Sequence, residues 1–211
     1  MAGELWAAMA EDWDAVARND PASRDRWESA LGHTALHAIW AHRIAHRLFT
    51  SGFRRLARAV AAVAHAWSGV EIHPGAQVGR RFFIDHGSGV VIGETAEIGD
   101  DCVLFHNVTL GGTGKHQGKR HPTLRDRVYV GTGATLLGPI LVGENAKVGA
   151  GSFIHMRDVP DDCTAVGTPA RIVKRAGQRV EAELPRTRLP DEAIPVAIPN
   201  DASAARVGRE S

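Results

Sequence analysis

Cysteine is scarce in this chain, with only Cys102 and Cys163 among 211 residues. Two thiols cannot make a disulfide framework, and without a C-x-x-C pair a cysteine-built zinc site is excluded too. An excess of one charge is also lacking. Lys and Arg number 25 against 24 Asp and Glu, a formal net charge of +1, so the footprint of a dedicated nucleic-acid binder is missing. No apolar run approaches the roughly 20 residues of a membrane span. The opening MAGELWAAMAEDWD has neither the basic segment nor the apolar stretch of a secretory signal. These absences leave a soluble, reduced, cytoplasmic protein as the expectation, with no membrane and no nucleic-acid partner. The 44% of hydrophobic residues can fill a core.

Tryptophan and glycine divide the chain. All five tryptophans lie in residues 1–67, which hold three of the 23 glycines, whereas residues 68–175 hold 18 glycines and no tryptophan. Residues 1–18 and 33–66 predict helices. Leu36, Ile39, Trp40, Ile44 and Leu48, then Leu56, Val60, Val63 and Trp67, recur every three or four positions. Asn19-Asp20-Pro21 and Ser51-Gly52 are the breaks. The spacing thus predicts an α-helical domain over 1–67.

The middle of the chain repeats every six residues. Ile72, Val78, Ile84 and Val90 share one register. Ile92, Ile98, Leu104 and Leu110 share a second, and Leu124, Val130, Leu136, Val142, Val148 and Ile154 a third. Glycine often follows the aliphatic residue, as at Gly79, Gly99, Gly131 and Gly143, and small or β-branched side chains such as Ala76, Ala96, Cys102 and Ser152 come four positions after it. A period of six is neither the two of an ordinary strand nor the 3.6 of a helix. It fits a coil of three short flat faces whose aliphatic ladders fill a narrow prism. Residues 68–175 are therefore expected to form a parallel β-helix, mainly β in class. The run GGTGKHQGKRHP interrupts it, giving a protruding loop over 111–123. After Lys174 the pattern stops, and 176–211 reads as a mobile tail.

A prism this narrow leaves no interior pocket, so chemistry belongs on its outside, with a neighbouring subunit as the other wall of a cleft. His86 follows Asp85 and lies fifteen residues after Glu71. Coils of about 18 residues bring such positions onto neighbouring rungs. A carboxylate on one ring nitrogen would leave the other free to take a proton. Arg120-His121 offers a forked cation and an imidazole for a small carboxylate. The helical pairs His33/His37 and His42/His46 have zinc spacing but no third ligand, and read as packing contacts rather than a metal site.

Three stretches closely resemble the serine O-acetyltransferases of the hexapeptide-repeat acyltransferases: VEIHPGAQVGRRFFIDHGSGVVIGETAEIGDD (70–101), VTLGGTGKHQGKRHP (108–122) and AVGTPARIV (165–173). ARNDP (17–21) and TALHAIWAHRIAHRL (34–48) resemble that family's helical domain. The resemblance implies a left-handed β-helix, although ordinary parallel crossovers are right-handed. It also implies transfer of an acetyl group from acetyl-CoA to the hydroxyl of L-serine. His86 would be the general base, oriented by Glu71, where many members have Asp, or by Asp85. Asp20, Asp85, Arg120 and His121 would hold serine. Gly112 and Thr113 would sit beside the thioester, Thr132 and Ala150 against the pantetheine arm, and Lys147, Arg171 and Lys174 near the phosphates. Glu94 matches a family acid without an assigned role. The resemblance implies a homotrimer and no metal, and leaves a dimer of trimers open because the helical region is about half that of the long forms. Members that dock into O-acetylserine sulfhydrylase end in isoleucine, whereas this chain ends in Ser211, which argues against that complex. Other readings are an acyltransferase for homoserine, a sugar or an antibiotic; a zinc-dependent γ-type carbonic anhydrase using His86, His116 and His121; and a pure scaffold.

Overall fold

The computed structural model describes residues 2–20, 32–114 and 117–187. Among the described residues three helices lead: α1 (Ala2–Asn19), α2 (Thr34–Thr50) and α3 (Arg54–Ser68). The Ser51-Gly52 break falls where expected, with Gly52 at φ +90°. His33 starts α2, its side chain accepting from the backbone N–H of Leu36 at 3.1 Å. Trp13 and Trp40 meet edge to face at 6.2 Å, joining α1 to α2.

Sixteen short strands follow among the described residues, and most stack in parallel into three faces. The first face carries Ile72, Ile92, Leu110, Leu136 and Ile154 in one ladder; the second carries Val78, Ile98, Leu124 and Val142; the third carries Ile84, Leu104, Val130, Val148 and Ala165. All of these except Val78 are buried, so the six-residue ladders are the core. The chain is a parallel β-helix with an N-terminal helical region.

The register shifts seen in the sequence have local causes. Ile72 pairs with Ile92, twenty positions on, while Ile92 pairs with Leu110, eighteen on. The two extra residues lie at the corner His86–Gly89, between the third face and the first. Val90 therefore lies at this corner rather than on a face, though it is fully buried. Leu110 pairs with Leu136, twenty-six on, and the eight extra residues are the loop after Gly111.

Two sites lock the helices to the solenoid. Arg43 grips Asp12 through two bonds at 2.5 and 2.7 Å and donates to the carbonyls of Val78 and Gly79 at 3.3 and 2.7 Å. Gly87, at φ +91°, leaves room for Ala35 of α2, whose Cβ would lie 2.9 Å from any Cβ added there. A side chain is barred twice at Gly87, by the backbone angle and by the neighbour.

The C-terminal boundary needs correction. Residues 176–187 do not leave the fold as a mobile tail. Ala170–Arg175 and Gln178–Glu183 form an antiparallel hairpin on the third face, and Leu184 is buried. Period-six patterning could not announce this, because the hairpin buries one edge of the sheet rather than a rung of the prism. Residues 188–211, with Ser211, lie outside the described residues. No helix among the described residues is long and apolar enough to cross a membrane.

Candidate functional site on two corners

Many of the expected site residues stand on two corners of the prism, one face apart, while Glu71, Lys147 and Arg171 lie on its faces and in the hairpin. His86 ends the strand Phe83–Asp85 of the third face. Its φ is +62°, a left-handed angle that costs a non-glycine residue on the order of 1 kcal/mol. That turn throws the imidazole outward, and the side chain is 75% exposed. Asp85 Oδ1 stands 3.9 Å from His86 Nε2, an ion-pair distance rather than a hydrogen bond. The His106 ring lies one coil further on, 5.7 Å away at 78°. The helical region closes this corner from below. His33 packs 5.5 Å from Phe83, and burial pushes its pKa down while the charges of Asp20 and Asp85 pull it up. Asp20 directly follows α1, and its charge reaches His33, the residue packed on Phe83.

Glu71 lies just past this corner, exposed on the first face, where it pairs with Val91. Among the described residues no hydrogen bond or ion pair joins Glu71 to His86. Thr132 and Ala150 are stacked higher on the same corner, with the Gly151 N–H donating to the Thr132 carbonyl at 2.8 Å.

The second corner, between the first and second faces, holds the other group. The loop returns here, and its end is tied down rather than loose. Lys119 Nζ donates to the Thr95 carbonyl at 2.8 Å and to Glu97 at 3.0 Å. Arg120 donates to Glu94 at 2.5 Å. That hydrogen bond holds the Glu94 carboxyl below the usual carboxylate range. His121 is buried, and its Nδ1 lies 2.9 Å from Thr95 Oγ1 and 3.2 Å from the Thr95 N–H. Because that N–H can only donate, Nδ1 is the acceptor nitrogen and Nε2 carries the proton. Burial first, and the Arg120 charge second, push the His121 pKa down to about 4. At neutral pH His121 is thus an uncharged donor beside a fixed cation. Its ring occupies the space that a Cβ on Gly93 would need, 2.0 Å from the nearest ring atom. Gly112 lies against the same pair: a Cβ there would come within 3.3 Å of His121 Nε2. Thr113 Oγ1 reaches Met156 Sδ at 3.8 Å. A cavity of about 570 Å³ opens beside Arg120, Glu94, Thr95 and Arg54.

Several of these residues carried no signal in the sequence. Thr95 and Gly93 were ordinary members of the repeat, and the space above them is filled only because the eight-residue insertion brings His121 back over them. Lys147 is exposed on the third face, and Arg171 lies 3.7 Å from Glu181. The helical histidines act in packing: His33 caps α2, His46 Nδ1 lies 2.9 Å from the Pro74 carbonyl, and His42 is buried with its pKa pushed down to about 3, first by desolvation and then by His46. No group of three metal-ligating side chains occurs among the described residues; His116 lies outside them. Cys102 is buried, its thiol pushed up to about 12 by desolvation, which leaves it unreactive at neutral pH.

A filled prism with imidazole, carboxylate and guanidinium groups on its outer corners defines a β-solenoid enzyme that works on its surface. Known proteins specify the class further. No family model matches the chain. It is 54% identical over 183 residues to the serine acetyltransferase of Bacillus subtilis, covering 87% of this chain and 84% of that one. The serine acetyltransferase of Synechococcus elongatus is 47% identical, over 89% of this chain and 76% of the other. Among solved structures, Neisseria gonorrhoeae serine acetyltransferase superposes with a TM-score of 0.80 at 40% identity, over 84% of this chain and 67% of that one. The soybean enzyme complexed with serine superposes with a TM-score of 0.76 at 45% identity, over 80% and 69%. The chain belongs to the serine acetyltransferase family.

Proposed function

We propose that the chain transfers the acetyl group of acetyl-CoA to the hydroxyl of L-serine, giving O-acetyl-L-serine and CoA for cysteine synthesis in the cytoplasm. The observation that carries the assignment of roles is the exposed His86 imidazole, held on a strained corner with Asp85 beside it. A serine hydroxyl is a poor nucleophile at neutral pH. His86 takes its proton as the oxygen attacks the thioester carbon, and general-base help of this kind is worth about 10²–10⁴-fold. The C–S bond then breaks, and the proton on His86 passes to the thiolate sulfur. No enzyme nucleophile is needed, which agrees with the inert Cys102.

Arg120 is the group for the serine carboxylate, and His121, neutral and with its Nε2–H free to donate, supports it. Asp20 and Asp85 face the serine ammonium, and Glu71 or Asp85 orients His86. Backbone N–H groups at Gly112 and Thr113 would meet the oxyanion of the tetrahedral intermediate. Thr132 and Ala150 line the pantetheine arm. Lys147, Arg171 and Lys174 supply charge toward the phosphates.

One chain keeps His86 and Arg120 on different corners, with the first face between them. A site that uses both therefore needs two chains. A closed ring of chains, each lending one corner to the next, satisfies this, and a homotrimer is the ring we propose. The test is thiol release from acetyl-CoA with L-serine, D-serine, homoserine and a sugar, for the wild type and His86→Ala. Release with L-serine that falls by orders of magnitude in the variant supports both substrate and base. Activity confined to another acceptor overturns the substrate. Undiminished release in His86→Ala overturns the base.

A further inference from the structure

We propose that His106 is a positioning residue for the catalytic base, holding the His86 ring by edge-to-face packing. This rests on His86 being that base.

His86 needs such a support. Its side chain is 75% exposed, its carboxylate neighbour is beyond hydrogen-bond reach at 3.9 Å, and neither Glu71 nor any other described residue bonds its ring. A single carboxylate, Glu71 or Asp85, can orient one ring nitrogen but leaves an imidazole on this exposed left-handed corner able to turn about its side-chain bonds. A general base must stand within about 2.6–3.2 Å of the proton it takes. The His106 ring, 5.7 Å away and nearly perpendicular at 78°, is the one aromatic contact His86 makes among the described residues. Perpendicular ring pairs at this separation are attractive, and they restrict rotation.

His106 itself is fixed. It follows Val103–Phe105 on the third face, and its carbonyl accepts from Gly133 of the next coil at 3.0 Å. Its Nδ1 is buried and has no hydrogen-bond partner among the described residues. A buried N–H without an acceptor is rarer and costlier than a buried lone pair. Nδ1 therefore carries the lone pair, and Nε2 the proton. A ring so placed is locked by packing rather than by a polar partner, which suits a wall rather than a proton carrier. Its position agrees with that role. On this corner His106 lies between His86 below and Thr132 and Gly133 above. A thioester reaching down past Thr132 toward His86 must pass beside it.

The test uses the full-length enzyme and four variants: His86→Ala, His106→Ala, His106→Gln and His106→Phe. A loosened base loses roughly ten- to a hundredfold in rate, as small misplacements of reacting groups do. His106→Ala and His106→Gln should therefore lower kcat by about tenfold or more, with the KM for serine and for acetyl-CoA each within about twofold of wild type. His106→Phe restores a ring without the nitrogens and should regain most of kcat. Side-chain NMR couplings of His86 should show one fixed rotamer in wild type and His106→Phe, and rotamer averaging in His106→Gln. Wild-type kcat in His106→Ala overturns the proposal, as does equal impairment of His106→Phe and His106→Gln. If His106→Ala does not fold, the Gln and Phe pair carries the comparison. Full activity in His86→Ala overturns the base assignment instead, and is distinguishable from the failure of His106 alone.

Discussion

The corner separation makes a quantitative prediction about mixed assemblies. His86→Ala keeps Arg120 and His121 intact, and Arg120→Ala keeps His86 intact. Each variant alone should be nearly inactive, because every site carries a lesion. The two chains are then co-expressed in equal amounts with different tags, and assemblies bearing both tags are purified. A site built across two chains works when an intact His86 from one meets an intact Arg120 from its neighbour. Each condition holds for half the chains, so random assembly restores about one quarter of wild-type activity, whatever the ring size. Selecting for both tags raises that figure in a trimer to about one third, since each mixed ring of three has one intact site. The intact sites should show the wild-type KM for serine. If each site were built within one chain, every site in a mixed assembly would be damaged and nothing would be recovered. Mixed assemblies with no activity, obtained with both tags present, refute the two-corner site.

Gly93→Ala should displace the His121 ring, since the added Cβ would fall 2.0 Å from it. We expect the serine KM to rise about tenfold or more while the acetyl-CoA KM holds, read by steady-state kinetics; loss of one charge-assisted bond is worth about 1.5–3 kcal/mol. Asp12→Ala leaves Arg43, 9% exposed, with only its two carbonyl acceptors. Breaking a buried pair costs about 3–5 kcal/mol, and the surviving bonds place this case near the lower end. The double variant Asp12→Leu with Arg43→Met should recover most of the loss in thermal melts, and failure to recover would contradict a simple pair. His42 has a folded pKa depressed to about 3. Its contribution to stability is present above the unfolded value near 6.5 and fades as pH falls toward 3, by up to about 1.4 kcal/mol per pH unit. Melting curves of His42→Leu between pH 4 and 7 should therefore be flatter than those of wild type.

Much was legible in the sequence because its causes are local and repeated. A six-residue aliphatic ladder has one economical solution, and the buried ladders through Ile92, Leu110 and Leu136 are that solution. The helix break at Ser51-Gly52 was legible because glycine supplies the positive φ. The residues that stand on the two corners were singled out by their motifs, but nothing in the spacing divided them into two groups. The hairpin over 170–183 was not legible, because edge pairing leaves no period.

By itself, then, the sequence determined the prism, its helical cap and the chemical character of the groups that decorate it, since each follows from short-range pattern. Only the tertiary structure decided where those groups stand. Two extra residues turn His86 outward on one corner, and eight extra residues carry Arg120 and His121 back to another. The number of residues inserted is written in the chain, but the corner on which each insertion lands is fixed by how the faces stack. That stacking sets His106 against His86 and His121 over Gly93, neighbours that no spacing rule along the chain connects.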